Sequence, residues 1–254
     1  MPPLLLVRAV NTAADSENRI HEDRVAAEYG FQGGLVPGVT IYGYMAAAVI
    51  EHFGPAWLER GAMDVRFFQP FYEGEQVAVS IAEQEQGRVK VEAGSRASGT
   101  AWIQDLLDDS LDFGDLPPEC PMPDRVPASR EAMLVGTLLG TIEKALDLSE
   151  PGMSAPLDAY LGQERFAHPA IILALANEIL ARNYILGPWI HSSSEVRNLS
   201  AALDGDRLQV RGKIVEAYER KGHDFVVLDV AILKGAVPVS RIRHTAIWRL
   251  RKNG

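Results

Sequence analysis

Residues 15–23 crowd reactive side chains into one stretch: Asp15, Ser16, Glu17, Asn18, Arg19, His21, Glu22 and Asp23, interrupted only by Ile20. A histidine titrates near neutrality, so the imidazole of His21 can take a proton from water, and an amide three residues earlier, Asn18, can hold that water. Further on, Val36-Pro37-Gly38 opens a long apolar segment. If that segment is a helix, its first N–H groups have no partners within it and can stabilise an oxyanion. Base, water holder and carbonyl-binding end together make an acid/base site. Taken singly, His21 reads as an exposed loop histidine with Asn18 and Asp15 as helix caps; the ordered set around it favours the site.

Such a site needs a scaffold, and the composition supplies one. The chain has 254 residues with 47% hydrophobic and 23% charged side chains, enough for a sizeable core in one large domain or two small ones. Its 34 acidic and 25 basic residues give a formal charge of −9, which repels a phosphate backbone, so no nucleic-acid partner is expected. The lone Cys120 offers neither a disulfide nor a cysteine metal site, and His52, His223 and His244 lack ligand spacing. No metal and no cofactor are expected, and a reducing cytoplasm is the expected location. The run Leu4-Leu5-Leu6-Val7 is too short to span a membrane and lacks a signal peptide's flanks, so it reads as a first strand and no membrane partner is expected.

The chain also repeats itself. Asp64-Val65-Arg66 is echoed by Glu195-Val196-Arg197, and Glu73-Gly74-Glu75 by Asp204-Gly205-Asp206, both 131 residues on and without a gap. A single offset of this kind marks a duplicated module. It lays the apolar segment 38–53 on 169–184, each opened by proline and apolar nearly all round, as in a helix buried on most sides. Strand patterns follow each helix, at 65–68, 76–82 and 89–93 in the first half and at 195–199, 207–215, 225–233 and 241–250 in the second. Between the halves lies an acidic, proline-rich linker, 105–130, with Asp108, Asp109, Asp112 and Asp115 followed by five prolines. One buried helix followed by antiparallel strands, twice, gives an α+β pseudo-dimer.

Asn18, His21, Asp23, the alanines 26 and 27 and the helix-opening Gly38 together resemble the MaoC-like hydratase/dehydratase family, in particular its (R)-specific enoyl-CoA hydratases. The stretch Val65-Arg66-Phe67-Phe68-Gln69-Pro70 with Gly74-Glu75 is similar to that family's strand and turn. The resemblance covers about residues 4–104 directly and the rest through the repeat. It implies a double hot dog: two repeats, each a buried central helix wrapped by an antiparallel sheet, with 1–104 carrying the site and 131–254 a degenerate motif. By the same resemblance, the Gly38 N–H binds a thioester carbonyl, with Val36, Tyr42 and His168 near the substrate. His21 acts on water held by Asn18, and water adds to or leaves a 2-enoyl/3-hydroxyacyl thioester of coenzyme A or acyl carrier protein, a reaction of fatty acid metabolism. The negative chain favours coenzyme A.

One departure matters. Where the family has its aspartate, five residues before His21, stands Ser16, and the nearest carboxylates are Asp15 and Glu17. A one-residue slip in extended chain turns a side chain to the other face, so Asp15 needs a bulge or loop to substitute. Two rival readings follow: a thioesterase of the same fold, and an acyl-thioester-binding protein without turnover. In the second half the offset puts Ser149 on Asn18 and Gly152 on His21, so the motif is absent there. His168 before Pro169 is either a wall of the cavity or a helix-entry residue. His191 with Ser192, Ser193 and Ser194 reads as a polar strand entry, and Glu51 and Glu178 as helix carboxylates. The basic end Arg241, Arg243, Arg249, Arg251 and Lys252 reads equally as a holder of coenzyme A phosphates and as a solvated strand face. A monomeric pseudo-dimer or a homodimer is expected.

Overall fold

The structure, a computed structural model, describes residues 5–105, 115–148 and 165–251. Strand β1 (Leu5–Arg8) leads through a single 3-10 turn (Arg19–His21) and the short helix α1 (Asp23–Glu28) to α2 (Gly38–Phe53). Then come α3 (Trp57–Arg60), β2 (Gly61–Phe67), β3 (Gln76–Glu83), β4 (Val89–Ala93) and β5 (Ala97–Ile103). The second half holds β6 (Val126–Pro127), β7 (Leu138–Ala145), α4 (Pro169–Asn183), β8 (Tyr184–Ile185), β9 (Ile190–Asn198), β10 (Arg207–Arg220), β11 (His223–Lys234) and β12 (Val237–Arg249).

Ten of these strands form one antiparallel sheet in the order β1-β3-β4-β5-β2-β9-β12-β11-β10-β7. Read from its middle outward, the two halves repeat each other strand for strand. They meet where β2 pairs with β9, with Asp64 opposite Glu195, Val65 opposite Ser194 and Met63 opposite Val196. Asp64 and Glu195 are the residues that the sequence repeat makes equivalent, so the pseudo-two-fold axis passes between them. Two carboxylates facing each other across a pair of strands repel; Arg197 Nη1 answers one of them, 2.6 Å from Asp64 Oδ1.

Alternation fixes which face of the sheet is covered. Val89, Val91 and Ala93 on β4, and Leu208, Val210 and Ile214 on β10, turn inward against the helices. Helix α2 packs on β1, β3, β4, β5 and β9, α4 packs on β7, β10 and β12, and the two helices pack on each other. One hydrophobic core runs through both halves. Beside it sits a small satellite of Ile20, Ala26, Leu35 and Leu250, which anchors the 3-10 turn under the chain that follows it.

Both long helices lie where the apolar segments predict them, except that Tyr184 leaves α4 for β8. Strands β5 and β7 escape the sequence reading. On β5 the inward residues are Ala97, Gly99 and Ala101, too small to mark an apolar period, and a Cβ at Gly99 would lie 2.7 Å from the Asp64 carbonyl oxygen. The acidic link between the halves is not free chain where it is described. Cys120 and Thr141 exchange hydrogen bonds, and β6 pairs in parallel with β8. Asp108, Asp109, Asp112, Ser149, Gly152 and Lys252 lie outside the described residues.

Three arginines of the basic end are engaged in ion pairs. Arg241 makes a buried two-point ion pair with Asp229 (2.6 and 2.7 Å), Arg243 pairs with Glu216, and Arg249 pairs with Asp224. These arginines hold strands together rather than standing free for phosphates. Asp229 and Arg241 are 2% and 3% exposed, so removing Arg241 leaves a buried carboxylate that only the more distant Lys213, 3.7 Å away among the described residues, still answers. Arg241→Ala is expected to lower the unfolding free energy by about 3–5 kcal/mol, measured by urea denaturation against the parent; a loss under about 1 kcal/mol would contradict this account of the pair.

Candidate active site

The turn that carries His21 is built from its surroundings inward. Asn18 caps it, its side-chain oxygen accepting from the Ile20 N–H (3.4 Å) and from the Trp189 N–H (3.1 Å), while its Nδ2 donates to the Trp189 carbonyl (2.9 Å). That reciprocal pair behaves like one rung of a sheet and ties the first half to the approach of β9. Ile20 is fully buried and its carbonyl accepts from the Leu35 N–H (3.2 Å). The loop returning past the turn comes very close: a Cβ at Gly34 would lie 2.1 Å from the His21 carbonyl oxygen, so only glycine fits. Asp23 Oδ1 holds the Gly34 N–H at 2.7 Å, and Asn11 Nδ2 donates to the His21 carbonyl at 2.8 Å.

His21 Nδ1 lies 2.6 Å from the Leu35 carbonyl oxygen. A carbonyl only accepts, so Nδ1 carries the ring proton and Nε2 keeps its lone pair. Asn18 Nδ2 sits 3.2 Å from that Nε2 and directs a hydrogen toward it. Burial pushes the imidazole below the ordinary histidine value, against the pull of the Leu35 carbonyl. His21 is therefore a neutral base at physiological pH.

His21 lines a cavity of about 250 Å³. Asn18, His21, Val36, Pro37, Gly38 and Ile41 line it from the first half, with the phenyl rings of Phe31, Phe67, Phe68 and Phe71. Asn177 of α4, Trp189, His191 and Ser192 close it from the second half. The wall at the start of α2 carries the Gly38 and Val39 N–H groups, which meet no acceptor among the described residues; the Pro37 carbonyl takes those of Thr40 and Ile41. A Cβ at Gly38 would lie 2.9 Å from His191 Nδ1 and 3.3 Å from Phe67 Cε2, so glycine keeps this helix entry open.

Of the residues singled out in the sequence, the structure brings together His21, Asn18, Val36 and Gly38. Asp15 is exposed, and the Ser16 hydroxyl turns back to the Asn18 carbonyl at 3.4 Å. Glu17 points outward to Arg125, 2.9 Å away, and that arginine also binds the Tyr184 carbonyl. No Asp or Glu lines the cavity among the described residues, so neither neighbour stands in for the missing aspartate. Tyr42 lies one step round α2 from Ile41, fully buried in the core with its hydroxyl unpartnered, off the cavity. His168 is not a cavity wall either. Its Nδ1 accepts from the Ala170 N–H (3.1 Å) to cap α4, and its ring seats against Gly43 of α2. Glu51 is exposed, and Glu178 pairs with Lys144 at 3.5 Å.

Several cavity residues were not legible as such, among them Asn177, Trp189, His191 and His223. His191 reaches the interior through a bulge, where β9 slips by one residue against Thr245 and Ala246. Strict alternation would put His191 and Ser194 on opposite faces, but the extra residue turns both inward. His191 Nε2 then meets Ser194 Oγ at 2.8 Å, and Ser194 Oγ meets His244 Nδ1 at 3.0 Å. The pair Gly33-Gly34 before the helix mouth was the one available sign that the chain passes tightly over His21.

Comparison with known proteins gives the fold. No family model matches the sequence. No curated protein matches it significantly. Solved structures do match over nearly the whole chain. A conserved hypothetical protein from Mycobacterium tuberculosis, essential for survival during infection and described as a double hot dog, superposes with TM-score 0.61 at 13% identity, over 97% of this chain and 94% of its own. A protein named as a MaoC domain dehydratase from Chloroflexus aurantiacus gives 0.60 at 11%, over 99% and 95%. A protein named as an oleoyl thioesterase from Lactobacillus plantarum gives 0.53 at 11%, over 98% and 96%. This chain is a double hot dog, and its structural neighbours include MaoC-like dehydratases.

The site histidines make stability depend on pH. Burial lowers His168 to about 4 and His244 to about 3, and holds His191 and His21 below their ordinary value. Below pH 6.5 the unfolded chain binds protons on these rings while the folded chain does not, so stability falls with pH until each folded value is passed. The urea midpoint is expected to drop steadily between pH 6.5 and 4, and His168→Asn, which retains a capping group, to remove about one proton from that slope. A midpoint constant across this range would contradict neutral burial of the rings.

Proposed function

We propose that the protein is an enzyme of acyl thioesters, a reversible hydratase/dehydratase acting on 2-enoyl and 3-hydroxyacyl thioesters. One observation carries this reading: a neutral His21, its tautomer set by the Leu35 carbonyl and its Nε2 lone pair accepting from the Asn18 amide, shares an apolar cavity with N–H groups at the start of α2 that meet no acceptor among the described residues. The thioester carbonyl sits at the Gly38 N–H, where the helix dipole and the amide favour negative charge. Water takes the place of the Asn18 amide hydrogen at His21 Nε2 and gives that nitrogen one proton as its oxygen bonds to C3. The C2–C3 π electrons move toward the carbonyl, leaving an enolate whose oxygen Gly38 holds. The imidazolium then returns that proton to C2, and His21 is neutral again. Dehydration runs the same steps backwards.

A single base that takes and returns one proton needs no second titrating group, which fits a cavity without a carboxylate. Ser192, the one hydroxyl on the lining, donates to the Thr245 carbonyl at 3.2 Å and is not set up as a nucleophile. The absence of a lining carboxylate also favours the rival reading, a protein that binds acyl thioesters without turnover. A cavity of about 250 Å³ has room for a short acyl chain, and coenzyme A thioesters are the natural first substrates.

Incubation with crotonyl-CoA and trans-2-octenoyl-CoA, following enoyl absorbance and free thiol in parallel, separates the readings. Enoyl loss without thiol release is expected, with His21→Ala lowering kcat by about 10²–10⁴. The hydration rate should be level above pH 6.5 and fall in acid as His21 protonates. Thiol release would move the assignment to hydrolysis, and bound substrate with neither change would leave a binding protein.

A further inference from the structure

His191 has no part in the reaction as drawn, yet its ring is held more firmly than that of His21. It is 5% exposed, packs against His244 with ring centroids 4.3 Å apart, and meets the edge of Phe67 at 4.9 Å. Its Nε2 is committed to Ser194 Oγ, which also meets His244 Nδ1. Its other nitrogen, Nδ1, is buried without a partner and lies against Gly38 at the entry of α2, on the cavity wall.

The hydrogen-bonded row has two neutral arrangements. In one, His191 Nε2–H donates to Ser194 and Ser194 donates to His244, which leaves an orphaned N–H on His244 Nε2 in the closed interior. In the other, His244 Nδ1–H donates to Ser194, Ser194 donates to His191 Nε2, and the free proton is His191 Nδ1–H. Each arrangement leaves one N–H over, on a nitrogen that is buried without a partner; of the two residues, His191 lines the cavity, where a ligand's acceptor can meet that N–H, and His244 does not. The second arrangement is the one that a bound carbonyl can satisfy, and it puts the spare donor beside Gly38.

From this we infer that His191, through Nδ1–H, is a second hydrogen-bond donor to the thioester carbonyl, meeting it from the second repeat while the Gly38 N–H meets it from the first. The assignment rests on the acyl-thioester reading above. It gives the second repeat, which lacks the Asn/His motif, a direct hand in the reaction, and it uses a neutral donor that adds no charge to an apolar cavity. Glycine at residue 38 is then required twice, for the approach of the carbonyl and for that of the imidazole.

The test uses the full chain and the carbonyl-labelled [13C] dethia ketone analogue of butyryl-CoA, which neither hydration nor hydrolysis consumes. Binding to the parent should move the carbonyl resonance downfield. His191→Asn, whose amide nitrogen falls near the ring Nδ1, should keep most of that displacement and stay within about tenfold of parental kcat on crotonyl-CoA. His191→Gln, which reaches Ser194 but leaves Nδ1 empty, and His191→Ala should lose at least half of the displacement and about 10²-fold in kcat with little change in KM. Equal behaviour of the Asn and Gln variants, or a bound probe whose carbonyl does not shift in the parent, overturns the role of His191 and leaves the acyl-thioester reading standing. A parent that binds no probe overturns that reading and this assignment with it.

Discussion

Everything at this site depends on the pairing of β2 with β9. That rung of the sheet, with its pseudo-two-fold axis between Asp64 and Glu195, fuses two five-stranded halves into one sheet and sets α2 and α4 side by side beneath it. Because the strands run antiparallel, the start of β9 passes the end of β2, and the cavity forms there. Phe67 comes from one half, Trp189 and His191 from the other, and the opening of α2 closes the space between them. The Asn18 amide then locks onto the Trp189 backbone, so the residue next to the base is also a fastening between the repeats.

Within that space the physics of burial selects the chemistry. Desolvation keeps His21 and His191 neutral, so the cavity offers lone pairs and N–H donors rather than charges. The α2 amino terminus supplies an oriented positive field from the backbone, and it faces an apolar enclosure where such a dipole is screened little by water. A neutral base opposite an oxyanion site suits a reaction in which charge appears only briefly and is returned. The carboxylates of this strongly acidic chain are turned elsewhere: Glu17 to Arg125, Asp23 to the Gly34 amide, Asp229 to Arg241.

Much of this was legible in residue order. The single offset of 131 residues located the duplication, and the pairing of Asp64 with Glu195 gives that offset a physical meaning, since equivalent residues must meet at a two-fold axis. Long apolar helices and the Asn18, His21 and Gly38 set were legible because their signals are local. What the sequence hid was non-local or irregular. His191 reaches the cavity only through a bulge, and a strict period of two would send either it or Ser194 outward. Asn177 is a polar residue on a mostly apolar helix, and its relevance depends on which face α2 leaves open. Strand β5 carries alanine and glycine inward and so shows no apolar period. The resemblance puts Tyr42 near the substrate, but a helix turns about 100° per residue, and that phase gives the cavity to Ile41 instead.

The most direct test of the central claim is a crystal structure of the protein with the dethia ketone analogue of crotonyl-CoA. The account predicts the carbonyl oxygen within about 3.2 Å of the Gly38 nitrogen and C3 of the acyl chain beside His21 Nε2. An acyl chain lying outside this cavity, or a carbonyl turned away from the start of α2 with His21 facing no part of the ligand, would contradict it.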